Sequence, residues 1–484
     1  MPPTVVNAKE SSVPLCVDLD GTLIKTDVLW ESMILLLKER PLYLLMLPFW
    51  LLRGRAHMKQ RIASLTDLNP GTLPYHQPFL EYLRVEKRKG RRIILATAAD
   101  QRLAERVAQH LGLFSEVVAS NGQTNMRGKN KGHALSERFG KKQFDYAGNS
   151  TVDLPVWEMS RNAIVVNAND RLADRARGLT EVSHVFNEPG SFLRALAKSM
   201  RPHQWVKNVI IFVPLLTSHE FSKLKPLSDA MLAFIAFSLC ASGVYMLNDL
   251  LDLDSDRHHA TKKMRPFASG ELHLPVGLVM APVLLALSLG VAIFLSWKFV
   301  AVLAGYFLIT TSYSWKLKQV ALLDVFFLAG LYTIRLVAGH AATGIPYSFW
   351  LLAFSMFIFL SLALVKRFTE LKLLRLQNKS NSRGRDYAAD DLELVAMLGI
   401  ASGFMSILVM ALYVNSPEVR DLYKYPTLLL LVCPLLLYWI SRVWLIAHRG
   451  RMHEDPIVFA LKDGVSYLVG ALTLCVVWLA TGHH

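Results

Sequence analysis

Residues 248–266, NDLLDLDSDRHHATKKMRP, set four acids and four bases together at the end of the apolar run FIAFSLCASGVYML. On a helix continuing past Leu247, Asn248, Asp252 and Asp256 fall at i, i+4 and i+8 and share one face, with Asp249 beside them. A stripe of hard oxygen donors suits Mg²⁺, which takes one or two carboxylates and completes its shell with phosphate and water. Lys262, Lys263 and Arg265 follow, then Pro266, and supply cations for phosphate oxygens. A solvated loop explains either charge run alone. Ordered acids followed by bases at a membrane edge point to a metal–phosphate site.

A second constellation lies upstream. PLCVDLDGTL, residues 14–23, reads as a short apolar strand that delivers Asp18 and Asp20 at i and i+2, then Gly21 and Thr22 in a tight turn. RRIILATAAD carries a second strand to Thr97, Lys131 follows in a basic loop, and FDYAGNSTVD ends a third strand with Asn149 and Asp153. Open α/β sheets place their sites at the carboxyl ends of strands, so complementary groups at three such ends form a candidate site.

The elements that must position these groups change along the chain. A polar tail at 1–12 precedes a soluble α/β domain at 13–190, and an amphipathic linker follows at 191–206. From 207 to 484 long apolar runs are broken by short charged loops. A bilayer crossing needs about 20 apolar residues. Nine spans are expected, at 207–218, 228–248, 275–297, 299–315, 321–343, 349–366, 392–414, 425–447 and 464–481, the first of them short. Lys and Arg number 17 in the loops 249–274, 316–320, 366–391 and 441–463, against 5 in 218–227, 298, 344–348 and 415–424. That asymmetry predicts an inner-membrane, multi-pass protein with its N-terminal domain in the cytosol and its C-terminus outside. The start MPPTVVNAKESS has no features of a cleaved signal. Residues 33–55 read as an interfacial helix, with Phe49 and Trp50 as aromatic anchors and Arg53 and Arg55 as basic ends, or else as buried helices of a small cap.

The net charge of +15 fits cytosolic loops facing anionic headgroups. No interleaving of aromatic and basic residues suggests nucleic acid as a partner. Cys16, Cys240, Cys433 and Cys475 have no paired spacing and read as packing residues.

The DxDGT, Thr, Lys and G-D/N-xxx-D motifs, in order over residues 14–153, resemble the haloacid dehalogenase (HAD) superfamily. The resemblance implies a Rossmann-like α/β fold with a small helical cap and a Mg²⁺ site at Asp18, Asp20 and Asn149. In that reading Asp18 attacks a phosphoryl group, Asp20 acts as general acid and then base, and Thr97, Lys131 and Asp153 serve the phosphoryl oxygens. Asn149 stands where family members usually carry Asp, so one ligand loses its charge while keeping an oxygen.

NDxxDxxxD followed by KxxRP resembles the first signature of the UbiA superfamily of intramembrane prenyltransferases, all-α polytopic bundles of about nine transmembrane helices. The resemblance implies a second Mg²⁺ site, at Asn248, Asp249, Asp252 and Asp256. Where a second acid pair is expected, the chain has Lys366, Arg367 and Glu370, which exchanges a metal site for an anion site. Arg201, Gln204, Lys207 and Asn208 offer further anion donors, as do Tyr313, Lys316 and Lys318; Asp324 accompanies them, and the intramembrane Arg335 either faces a polar cavity or pairs with Asp324 eleven residues earlier. RPHQWVKN, the acid loop and KRxxEL together resemble the polyprenyl-phosphate phosphoribosyltransferases.

That resemblance implies transfer of 5-phosphoribosyl from phosphoribosyl diphosphate to a polyprenyl phosphate, a step toward cell-wall glycans, with Asp252 and Asp256 central to catalysis and Lys262 and Arg265 receiving the diphosphate charge. The HAD-like domain would then hydrolyse the 5-phosphate. The rival reading is an aromatic prenyltransferase using a polyprenyl diphosphate, with the HAD-like domain as phosphatase or sensor. Prenyl length is not legible in the sequence, and a homo-oligomer is compatible with it.

Overall fold

The computed structural model describes residues 13–188, 190–377, 385–452, 455–460 and 462–482. The polar tail expected at 1–12 lies outside them. The chain divides into two units, Met1–Met200 with Tyr245–Ala281, and Arg201–Val244 with Pro282–His484.

In the first unit, six strands form one parallel sheet: β1 (Leu15–Val17), β2 (Ile93–Asp100), β3 (Glu116–Ser120), β4 (Asp145–Gly148), β5 (Asn162–Val166) and β6 (Glu181–Phe186), in the order β3-β2-β1-β4-β5-β6. Alternation along each strand builds two cores. Leu15, Val17, Leu95, Ala147 and Ile164 face one layer, while Cys16, Ile94, Tyr146, Val165 and Trp157 face the other. Helices cover both faces, which is why the strands read as continuous apolar runs rather than alternating ones. The strand order reverses beside β1, so the crevice opens past the ends of β1 and β4, paired in register at Val17 and Ala147.

Between β1 and β2 lies the cap segment: α1 (Val28–Glu39), a 3₁₀ segment at Pro41–Met46, α2 (Leu47–Leu52) and α3 (Arg55–Leu65). The single interfacial helix expected over 33–55 is interrupted at Arg40, which adopts φ −143° and ψ 62° ahead of Pro41. Proline's ring crowds the helical conformation of the residue before it. Leu42, Leu45, Phe49, Leu51 and Leu52 are exposed. Trp50, expected among the anchors, instead packs in a small cluster with Leu36 and Ile62, while Phe49 is exposed, as is Tyr43.

Seven helices are long and apolar enough to cross a membrane, at Leu224–Leu251, Leu274–Ala292, Leu323–Thr343, Phe349–Leu376, Ala389–Val414, Pro426–His448 and Gly464–Thr481. The segment expected at 299–315 forms the 19-residue helix Trp297–Trp315, long enough but more polar. The one expected at 207–218 is no single α-helix: a 3₁₀ segment, Pro202–Phe212, passes into the short helix Val213–Thr217. Two features explain the break. Val206, Val209, Ile210 and Ile211 are β-branched, and Pro214 cannot donate to a preceding turn.

The membrane helices of the second unit pack through small residues. Gly399 and Gly403, in a GxxxG pattern on Ala389–Val414, let Trp444 and Ile440 approach that backbone. Ser361 Oγ donates to Gly399 O at 2.7 Å and accepts from Trp444 Nε1 at 3.1 Å, so the close approach is also hydrogen bonded. A Cβ on Gly399 would lie 2.1 Å from Trp444 Cζ2. Gly399→Ala should therefore cost about 1–3 kcal/mol of overpacking and lower the Tm of the detergent-solubilised protein by several degrees. Gly290→Ala, at a glycine with no neighbour within 4 Å, should not. Equal effects would remove the packing explanation.

Candidate active sites

Asp18 follows β1 directly, and the turn beyond it depends on Gly21. Gly21 sits at φ +74°, and a Cβ there would lie 2.1 Å from Asn149 Nδ2. Asn149, at the end of β4, accepts from Thr22 Oγ1 at 3.3 Å. Lys131 is buried and donates to Asp18 Oδ1 at 2.7 Å and to Tyr146 Oη at 2.8 Å. Tyr146 in turn donates to Asp153 Oδ1 at 2.9 Å. Asp153 Oδ2 accepts from the backbone N–H groups of Asn149 and Ser150 at 3.1 and 3.0 Å, so Asp153 shapes the loop that presents Asn149.

Asp20 turns away from this chain of contacts and accepts from Val28 N at 2.9 Å, at the N-terminus of α1. Thr97 is fully buried on β2 and accepts from Ala99 N at 3.0 Å; its neighbour Ala98 lines the cavity. That cavity, roughly 500 Å³, gathers Asp18, Asp20, Lys131, Asn149 and Asp153.

Burial pushes the Asp18 carboxyl up to about 6, against the pull of Lys131. Burial, followed by repulsion from Asp27 and Asp18, holds Asp20 well above the carboxylate range. Burial opposes the charge on Lys131, but Asp18 and Asp153 outweigh it and raise its affinity for the proton. Asp18 is thus a carboxylate fixed by a cation, and Asp20 a carboxyl biased toward its acid form. These are the states that a nucleophile and a general acid need. The Asp18 carboxylate and the Asn149 amide oxygen, on adjacent strand ends, form an oxygen donor set that fits Mg²⁺.

The acid loop belongs to the same unit. Helix Leu224–Leu251 ends just before Asp252, which stands at the position preceding a short helix, Leu253–His258. The expected spacing survives this junction, because Asp252 N donates to Asn248 O at 2.9 Å and Asp256 N to Asp252 O at 2.8 Å. Asp249 and Asp256 are buried, and both accept from Arg265 Nη1, at 3.1 and 2.6 Å. Arg265, expected to face phosphate, here compensates the acids. A cation held by two carboxylates is a stand-in for a metal ion, and the oxygen donors fit one. Among the described residues no three His, Cys, Asp or Glu side chains converge as a ligand set. Lys262 lies exposed on the following 3₁₀ turn.

Next to Asp256, Arg257 makes a buried two-pronged pair with Glu31 of α1, at 2.6 and 3.1 Å, and donates to Ala268 O at 3.0 Å. The acid loop is thereby tied to the helix whose first N–H holds Asp20. His273 joins the lining of the Asp18 cavity.

In the second unit, Lys207 and Lys366 converge on Asp455 Oδ2, at 3.1 and 3.3 Å. Arg367 is buried and committed to Asp324 at 2.8 Å and to Glu370. Tyr387 adds a hydrogen bond to Asp324 at 2.7 Å. Arg335 pairs not with Asp324 but with Asn208, at 2.8 Å, and Tyr306, at 3.3 Å. Asn208 also donates to Ser238 at 3.0 Å. Of the expected anion donors, Arg335, Arg367 and Asn208 thus form buried polar networks, and Lys207 and Lys366 are brought together. Arg201 begins the 3₁₀ segment in a left-handed conformation at φ 54°, and its carbonyl accepts from Gln204 N at 2.8 Å. Tyr313 lies on Trp297–Trp315, while Lys316 and Lys318 lie in the turn after it.

Sequence reasoning missed Tyr146, Glu31, Arg257 and Asp455. Tyr146 could have been found, since its alternation on β4 turns it to the Lys131 side. Asp455 had a weaker signal, as an acid before Pro456 in a basic loop.

The UbiA prenyltransferase family model matches residues 210–460, and the haloacid dehalogenase-like hydrolase model matches residues 15–158. The protein y4nM of Sinorhizobium fredii, described as uncharacterized, is 38% identical over 96% of this chain and 90% of its own. Nodulation protein NoeC of Azorhizobium caulinodans is 36% identical over 59% of this chain and 91% of its own. A decaprenyl-phosphate phosphoribosyltransferase of Mycobacterium tuberculosis is 35% identical over 39% of this chain and 64% of its own.

The Glu31–Arg257 pair generates a stability test. Glu31→Ala leaves a buried guanidinium uncompensated and should cost about 3–5 kcal/mol, read as a lower Tm and faster proteolysis between residues 257 and 268. Adding Arg257→Ala should recover part of the loss. A double variant as unstable as the sum of two singles would mean that the pair is not coupled.

Proposed function

Because the chain belongs to the UbiA prenyltransferase family and carries a HAD-like domain ahead of it, we propose a bifunctional membrane enzyme. Its membrane part transfers 5-phosphoribosyl from phosphoribosyl diphosphate to a polyprenyl phosphate. Its HAD-like domain removes the 5-phosphate from the product. The observation that carries this reading is the asymmetry of the acid motifs: one oxygen-rich helix end, and Lys366 and Lys207, joined on the single carboxylate of Asp455, where a second acid pair would serve a prenyl diphosphate. The similarity to decaprenyl-phosphate phosphoribosyltransferase supports it.

In the first step a lipid phosphate oxygen bonds to the anomeric carbon as the bond from that carbon to diphosphate breaks. No general base is needed, since a phosphate monoester is already ionised at neutral pH. Asn248, Asp249, Asp252 and Asp256 would hold Mg²⁺, which supplies charge neutralisation to the diphosphate. Arg265 and Lys262 receive the charge that grows on the leaving group. Lys207 and Lys366 hold the lipid phosphate. The acid loop and the soluble domain work on the cytosolic side, as the loop charges indicate.

In the second step Asp18 attacks the phosphorus of the 5-phosphate, and Asp20 gives its proton to the departing ribose oxygen. Asp20 then takes a proton from the water that cleaves the aspartyl phosphate and releases inorganic phosphate. Lys131 keeps Asp18 ionised and oriented throughout. A second Mg²⁺, on Asp18 and Asn149, would offset the charge of the phosphoryl oxygens.

Purified protein in nanodiscs, given labelled phosphoribosyl diphosphate, polyprenyl phosphate and Mg²⁺, should label the lipid, and a chelator should stop it. Asp252→Asn should reduce labelling at least about 100-fold, a loss of roughly 2.7 kcal/mol of transition-state stabilisation. Asp18→Asn should leave labelling intact and accumulate the 5-phosphorylated lipid. An unchanged product ratio would disprove the assignment of this lipid to the HAD-like domain. Labelling seen only with a prenyl diphosphate and an aromatic acceptor would replace the first step.

A further inference from the structure

The Asp18 cavity is lined by five cations, Lys25, Arg55, Lys59, Arg127 and Lys131, against the carboxyl groups of Asp18, Asp20, Asp27 and Asp153. Lys131 is committed to Asp18 at 2.7 Å, and Lys59, from α3, donates to Ala98 O at 2.7 Å. Two guanidinium groups line the same cavity, Arg55 at the start of α3 and Arg127 just before the helix Lys129–Phe139. Among the described residues neither has a carboxylate or carbonyl partner for its side chain. Burial lowers the proton affinity of Lys59, against the pull of Asp20 and Asp27, and Arg127 lowers it further. Unpaired guanidiniums sharing a pocket repel one another, and that cost is relieved by an anion. Guanidinium also matches phosphate oxygens in a planar fork.

The wall beside these cations is apolar. Leu51 and Met58 line the cavity, and Leu51 belongs to the exposed strip that includes Phe49 and Leu52, 61% and 86% exposed. An anion-binding wall running into an apolar strip fits a ligand whose far phosphate carries a hydrocarbon substituent.

We propose that this cavity is a two-anion site for one lipid-linked substrate. The scissile monoester sits at Asp18 and Lys131, and a second, uncleaved phosphodiester sits on Arg55 and Arg127. The proposal deepens the phosphatase reading and rests on it for the identity of the inner group. It makes Arg55 and Arg127 the residues that select a substrate bearing two phosphates over a simple sugar phosphate.

The test measures binding in the full-length Asp18→Asn protein by calorimetry, so that turnover does not enter. The probes are ribose 5-phosphate, its 1-(methyl phosphate) derivative, and the 1-(farnesyl phosphate) derivative. The second phosphate should tighten binding at least about tenfold, the scale of one charge-assisted hydrogen bond. The farnesyl probe should bind more tightly still. In an Arg55→Ala, Arg127→Ala background the ratio between methyl diester and ribose 5-phosphate should collapse toward one, and Lys at both positions should restore part of it.

A ratio near one before those changes, or variants that weaken all probes alike, would overturn the two-anion site. Methyl and farnesyl probes of equal affinity would overturn the lipid part and assign the site to soluble bisphosphates. Preserved selectivity in a protein that never hydrolyses these probes when Asp18 is intact would sink the phosphatase reading and leave the binding site standing.

Discussion

The cost of an uncompensated charge away from water governs this molecule. Every carboxylate that could do chemistry here is buried or half-buried, and an isolated ion in such a place costs several kcal/mol. The chain answers with cations at fixed positions: Lys131 on Asp18, Arg265 between Asp249 and Asp256, Arg257 on Glu31, and Arg367 on Asp324. These pairs need not add much stability, since desolvation offsets most of their attraction. Their value is geometric. Each holds a carboxylate in one orientation.

The pairs fall into two classes by what surrounds them. Arg367 with Asp324 is sealed, both side chains being almost wholly inaccessible, with Tyr387 also on the acid. Arg335 with Asn208 and Tyr306 is sealed in the same way. Such networks specify how helices meet, because any register that separates the partners leaves a buried charge uncompensated. Arg265 is different. It remains partly accessible while its acids are buried, so it can leave them when another cation arrives. Chemistry is available where a pair meets solvent or a cavity, as Asp18 and Lys131 do despite their burial.

This distinction marks the limit of what the sequence conveys. Asp18, Asp20, Lys131, Asn149 and Asp153 were legible because strand periodicity and glycine turns bring residue types to strand ends in a fixed order, and they do meet at one cavity. The spacing of Asn248, Asp252 and Asp256 was legible because i+4 hydrogen bonds preserve it across the end of a helix. Pairing was not legible. Whether Arg335 meets Asp324 or Asn208 depends on how three segments cross, and nothing local to KRxxEL says that Arg367 is consumed by an acid on another helix. The same holds for Trp50, whose neighbours Leu36 and Ile62 come from separate helices. Local chemistry survives in the sequence, while long-range partner choice must be read from packing.

The accessible pair at the acid loop also has a thermodynamic consequence for the proposed reaction. If Arg265 already compensates Asp249 and Asp256, metal and diphosphate do not gain the full attraction of bare carboxylates. They exchange one cation for another. The guanidinium released in that exchange lies beside the incoming diphosphate, so the charge withdrawn from the acids reappears where negative charge develops. Affinity is then modest in the ground state, and the larger gain is deferred to the leaving group, where it lowers the barrier. A loop that kept its acids bare would bind the metal more tightly and accelerate the chemistry less.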